Sequence, residues 1–185
     1  LDMAVLKGNV GFIFNGYGDT FLMWQLNTSN SADGELYFRP HTWEYGTPLC
    51  IDEILVDKEV ATGAVGENIH MKIEMNKGTV TTYLNGTLVY TFEVEEYDYL
   101  DNCEMGFRTD SYGLEPSDLE SGSFDNMTIT NSLGEVIFSE DFEGETNYFS
   151  DMIQDGGYDC VVEDGKLIVG RESKVQFSVE MPPLN

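Results

Sequence analysis

The chain has 185 residues, with 34 acidic against 9 basic side chains and a net charge of −25. A chain of this length buries roughly 70% of its unfolded surface, enough for a core without disulfide staples. The charge argues against nucleic acid and anionic membranes as partners, since both demand clustered Lys and Arg. It leaves two readings open: plain solubility, or affinity of loop carboxylates for divalent cations.

Taken in chain order, runs of Val, Ile, Phe, Tyr, Thr and Met recur between Gly, Asn and Asp, and helical spacing is rare. They predict strands near 2–6, 9–15, 20–27, 35–39, 50–57, 69–76, 79–84, 88–94, 103–109, 123–130, 135–138, 159–162, 166–169 and 174–180. Asn76-Lys77-Gly78 and Asn85-Gly86 are hairpin turns, because these residues accept the positive φ a tight turn requires. Two acidic stretches interrupt the pattern: a long loop over 109–122, and a weakly structured region over 139–165. Met181-Pro182-Pro183 reads as linker. Many short strands joined by such turns imply an all-β, two-sheet antiparallel jelly-roll sandwich over 1–180, followed by a linker over 181–185. The chain opens inside a strand-like run, without Met or a signal peptide, and so reads as a piece of a larger multidomain protein.

Three cysteines at wide spacing, with no CxxC pair, speak against a zinc site. Cys50 and Cys103 lie in apolar runs and are expected to be small buried hydrophobes. No apolar run approaches the roughly 18 residues of a membrane-spanning helix.

Alternation sorts the strand faces. Leu22, Trp24 and Leu26 share one face, opposed by Met23, Gln25 and Asn27. Leu36, Phe38 and Pro40 oppose Tyr37, Arg39 and His41, and Met105 and Phe107 oppose Gly106 and Arg108. With the apolar sets in the core, Gln25, Arg39, His41 and Arg108 meet on the outer face of one sheet. Such a face is either an ordinary solvated surface or a polar platform for a sugar. Trp43, expected in a loop with Tyr45 and Gly46, either stacks on a sugar ring or covers the sandwich rim. Asp19, in the turn Asn15-Gly16-Tyr17-Gly18-Asp19-Thr20, either bonds its own backbone or ligates a hard cation.

Chemistry for catalysis is poorly represented. There are two histidines, no Gly-x-Ser-x-Gly elbow, and no acid pair on one strand at the spacing a glycosidase needs. The nearest stretch, Ile51-Asp52-Glu53-Ile54-Leu55-Val56-Asp57, points Asp52 and Glu53 to opposite faces. The balance favours a binding module over an enzyme, with a structural sandwich supporting a catalytic domain as the alternative.

Several motifs in order then resemble a known family. They are Gly11-Phe12-Ile13-Phe14, Asp19-Thr20-Phe21-Leu22-Met23-Trp24-Gln25, Leu36-Tyr37-Phe38-Arg39-Pro40-His41, Tyr83-Leu84-Asn85-Gly86-Thr87, Gly106-Phe107-Arg108, Phe124-Asp125-Asn126 and Val136-Ile137-Phe138-Ser139-Glu140-Asp141-Phe142. Together they resemble the concanavalin A-like, calcium-dependent L-rhamnose-binding modules of bacterial α-L-rhamnosidases. The resemblance implies a jelly roll that binds terminal rhamnose through calcium, within a glycoside hydrolase that is secreted or held at a bacterial cell surface. Where that family typically has Asp-Asn before the aromatic strand, this chain has Asp19-Thr20. The expected carbohydrate contacts are therefore Asp19, Thr20, Gln25, Arg39, His41, Trp43, Arg108 and Asp110, with Asp19 also the calcium ligand.

Overall fold

The computed structural model describes residues 1–17, 20–28, 34–76, 78–94, 104–109, 120–145, 147–149, 160–170 and 176–180. Among them are sixteen strands and no helix. In chain order they begin with β1 (Asp2–Lys7), β2 (Asn9–Tyr17), β3 (Thr20–Asn27), β4 (Tyr37–Glu44), β5 (Thr47–Cys50) and β6 (Ile54–Leu55). A meander follows, of β7 (Ile69–Asn76), β8 (Thr79–Leu84) and β9 (Thr87–Glu93). The chain continues with β10 (Glu104–Arg108), β11 (Ser121–Asp125), β12 (Met127–Thr130) and β13 (Val136–Glu140). It closes with β14 (Cys160–Glu163), β15 (Lys166–Val169) and β16 (Gln176–Glu180).

The strands form two large antiparallel sheets, as expected. The first runs β14-β15-β11-β1-β7-β8-β9. The second runs β16-β10-β2-β3-β4-β5, with β6 also pairing β4, and β12-β13 form a separate hairpin. The large sheets pack face to face through one apolar core. Phe107 of the second sheet meets Phe124 of the first at 4.2 Å between ring centroids. Trp24, fully buried, donates its indole N–H to Thr82 Oγ1 of β8 at 2.7 Å. Its ring also meets Phe14 edge-on at 5.0 Å and Tyr90 of β9 at 6.0 Å.

The expected turn at Asn85-Gly86 is present, with φ of 49° and 83°. The Asn85 side chain also ties this turn to its neighbours, accepting from the backbone N–H of His70 and donating to the carbonyl of Val60.

Several expectations are corrected. The strand over 35–39 instead runs from Tyr37 to Glu44, straight through Pro40. Proline is tolerated because β5 ends at Cys50 opposite His41 and β6 begins at Ile54 opposite Phe38, and between them Pro40 is joined through its carbonyl, which accepts from the backbone N–H of Ile51 at 2.9 Å and asks no N–H of the proline. The strand over 50–57 is correspondingly two short pieces, and Cys50 on edge strand β5 is exposed, not core. The strand over 123–130 breaks at Asn126, whose φ of 48° turns the chain out of the sheet. The acidic region after 139 is ordered at its start. There Glu140 accepts from the backbone N–H groups of Phe142 and Tyr148, and Phe142 and Phe149 are buried in the core. Cys103 and the expected linker over 181–185 lie outside the described residues.

The sheets approach closely at Gly122 of β11, where an added Cβ would lie 2.5 Å from Val10 Cβ of β2. Gly122→Ala is therefore expected to destabilise the fold by about 1–3 kcal/mol, the usual cost of overpacking a core. Urea denaturation measures it, and an unchanged midpoint would show that this contact does not set the sheet spacing.

Candidate functional site

The outer face of the second sheet carries the residues singled out by alternation. Pairing places Arg108 opposite Gly11, Gly11 opposite Gln25, and Gln25 opposite Arg39, one row across four strands. Gly11 leaves a gap in that row which Met23 fills, since a Cβ at Gly11 would lie 2.8 Å from Met23 Sδ. Of the expected contacts, the structure brings together Gln25, Arg39, His41, Trp43 and Arg108.

Side-chain hydrogen bonds link part of this face. Asn9 Nδ2 donates to Glu120 Oε1, and Gln25 Nε2 donates to Asn9 Oδ1 at 2.9 Å. Gln25 Oε1 accepts from Arg39 Nη1 at 3.3 Å, and Arg39 Nε lies 3.2 Å from Glu53 Oε2. A carboxylate only accepts and a guanidinium only donates, so the two ends of this chain fix the orientation of both amides.

His41 donates from Nδ1 to the carbonyl of Arg39 at 3.0 Å, because a carbonyl only accepts. Burial, reinforced by the charges of Arg39 and Arg108, lowers its pKa to about 4 despite that bond. It is therefore neutral at pH 7, with Nε2 as an acceptor.

Trp43 lies in a strand, not in the loop expected for it. It belongs to β4 and stacks on its cross-strand partner Phe21, with centroids 5.2 Å apart. The Arg108 guanidinium lies 4.3 Å from its ring centroid, a cation–π contact. With Ile13 and Met23 these two aromatics form a second, smaller hydrophobic cluster on the outer face.

The face is not an open platform. Gln25, His41, Trp43 and Arg108 are between 5% and 8% exposed. Arg39 is the member that reaches solvent, with a quarter of its side chain exposed. Beside it the Tyr37 hydroxyl donates to Glu35 Oε2 at 3.2 Å, and Tyr37 pairs with Leu55. A cleft of about 370 Å³ begins there, lined by Glu35, Leu55, Val56, Asp57 and Lys58.

Thr20 is at the far end of β3, about 16 Å from Gln25 at the usual strand rise. Its hydroxyl lies 3.5 Å from the backbone nitrogen of Tyr45. Asp19 and Asp110 lie outside the described residues. Among the described residues no group of three or more His, Cys, Asp or Glu is placed to hold a metal ion.

Asn9 and Glu120 were not foreseen. Nothing in the sequence distinguishes Glu120 from the chain's other acids. The burial of the face did have a signal: Phe21-Leu22-Met23-Trp24 is apolar at both parities, the mark of a strand covered on both sides.

No protein family and no curated protein matches the sequence. Among solved structures, the chain is similar to a carbohydrate binding module, CBM66 from Bacillus subtilis, with a TM-score of 0.42 and 16% identity. The likeness covers 57% of this chain and 62% of that module.

His41 makes the face sensitive to acid. Its folded pKa lies below its ordinary 6.5, so its contribution to stability is complete above pH 6.5 and lost as pH falls towards 4. The loss is about 3 kcal/mol at most. The carboxylates titrate in the same direction of pH change, so the informative quantity is the difference between wild type and His41→Gln in urea midpoints across pH 4–7. A difference that narrows on acidification is expected; one independent of pH would show that His41 is solvated.

Proposed function

We propose that this chain is a non-catalytic carbohydrate-binding module that takes a neutral saccharide at the solvent-reaching edge of the second sheet. The observation that carries this is Arg39, the member of the polar row that reaches solvent, held by Gln25 and Glu53 two residues along β4 from Tyr37, whose hydroxyl bonds Glu35 in the lining of a cleft of about 370 Å³. A sugar needs donors and acceptors in alternation and an apolar surface for its C–H face. Arg39 and Lys58 supply donors, Glu35, Glu53 and Asp57 supply acceptors, and half-exposed Leu55 supplies the apolar contact. These charged groups sum to −1 in a chain of −25, which favours a neutral sugar over a uronate. The buried members of the face act behind Arg39, as its support.

Terminal L-rhamnose is the first sugar to test. The sequence motifs support it, and its methyl group suits Leu55. The same motifs support calcium held by Asp19 and a parent glycoside hydrolase that is secreted or at the cell surface. The burial of Gln25, His41 and Arg108 favours a second reading, a structural sandwich that props a catalytic domain without binding sugar.

Calorimetry with L-rhamnose, galactose, glucose and galacturonate, with and without EDTA, separates these. A Kd on the order of 0.1–1 mM is expected for one ring with few polar atoms to exchange for water. Galacturonate is expected to bind more weakly than galactose, and Arg39→Ala to weaken binding at least tenfold. Binding insensitive to EDTA would remove calcium and keep the sugar. No heat with any sugar at millimolar protein would overturn the proposal in favour of the structural sandwich.

A further inference from the structure

We infer that Glu120 is a positioning residue for this saccharide site, acting on Arg39 through the side-chain amides of Asn9 and Gln25; the inference rests on the carbohydrate reading. Glu120 immediately precedes β11 of the first sheet, yet its carboxylate reaches Asn9 at the start of β2 in the second. Gly8, which joins β1 to β2, makes room for it. Its φ is +68°, and a Cβ there would meet Glu120 Cγ at 2.9 Å. Glu120 is buried, as are Asn9 and Gln25.

The consequence is directional. With an acceptor fixed at Glu120, Asn9 turns Nδ2 towards it and Oδ1 towards Gln25. Gln25 then turns Nε2 to Asn9 and Oε1 to Arg39. Without Glu120 the amides are held from the other end alone, by Arg39 and by Asn27 Nδ2 at 3.5 Å from Gln25 Oε1, so Asn9 is freed to turn, and whenever Gln25 follows it Gln25 presents N–H donors to a guanidinium that is itself all donors. Arg39 would then lose the bond that sets the pose of its guanidinium. A carboxylate several residues removed from any sugar thus decides which atoms the sugar meets.

The test compares Glu120→Ala, Glu120→Gln and Asn9→Ala with wild type, each alone and combined with Arg39→Ala. Three quantities are read: saccharide Kd by calorimetry, urea midpoint, and the NMR signals of the Gln25 side-chain amide and Arg39 Nε–H in ligand-free protein. Glu120→Ala and Asn9→Ala should each weaken binding about tenfold and shift both NMR signals. Glu120→Gln, which keeps an acceptor for Asn9, should recover part of the affinity. In the Arg39→Ala background, removing Glu120 should cost no further affinity, while its effect on the urea midpoint persists. A purely structural carboxylate would lower the midpoint and leave the Kd and the Arg39 signal unchanged, and that result overturns the inference. Should Glu120→Ala fail to fold, Asn9→Ala decides by the same criteria. Should wild type bind no sugar, the saccharide reading fails by itself. Shifted Arg39 and Gln25 signals would then still establish the hold of Glu120 on Arg39, and unshifted ones would remove it.

Discussion

The burial of Trp24 decides where every side chain of β3 points. Its ring fills the space between the sheets, and its one polar atom is satisfied by Thr82 of the opposite sheet. A strand alternates faces with a period of two, so a slip of one residue would move Trp24 out to the polar face and drive Gln25 into the apolar core. That exchange removes a large aromatic from the core and buries an amide without partners, costs that reinforce one another. Arg39 inherits the same constraint through its pairing with Gln25, and Arg108 through its pairing with Gly11. The polar row is therefore a by-product of the core: fixing Trp24 inside fixes the row outside.

A row of polar groups that is itself covered needs internal partners. A buried amide left unsatisfied costs about 1–3 kcal/mol, and in a medium of low dielectric the cost of each broken link is larger than at the surface. The run from Glu120 through Asn9 and Gln25 to Arg39 and Glu53 meets that need by ending on a charge at both ends. Amide chains without such ends have two near-equivalent orientations; this one has a single orientation. Rigidity of this kind lowers the entropy lost when a ligand binds, which matters most for a sugar, whose own contacts are weak.

Much of the framework was legible in the sequence because strand period and turn chemistry are local. The Asn85-Gly86 turn, the inward parity of Trp24 and Phe107, and the shared outward parity of Gln25, Arg39 and Arg108 all follow from neighbours along the chain. What was illegible depends on contacts between distant segments. Trp43 looked like a loop residue because Tyr45 and Gly46 follow it closely, and only the pairing of β4 with β3 and β5 shows that the strand runs on to Glu44. Phe142 and Phe149 looked like part of an acidic loop, and they are core because Glu140 caps the turn that carries them inward. Glu120 could not be separated from other acids before the sheets were assembled. The burial of the outer face was readable in Phe21-Leu22-Met23-Trp24, but a pattern apolar at both parities does not say what lies on top.

Charge explains why a neutral histidine belongs on this face. Arg39 and Arg108 are two of only nine basic residues, and both lie on it. Arg39 is balanced by Glu53, while Arg108 is held over the electron-rich face of Trp43. A protonated His41 would place a third cation near them in a poorly solvated setting and would convert its acceptor nitrogen into a donor. The face would then hold more donors than the acceptors of the row can satisfy. Kept neutral, His41 spends its one N–H on the Arg39 carbonyl and braces the backbone of the residue whose side chain reaches solvent. The same burial that closes the face to solvent thus keeps its charge balance, and it leaves Arg39 as the point where the row reaches solvent.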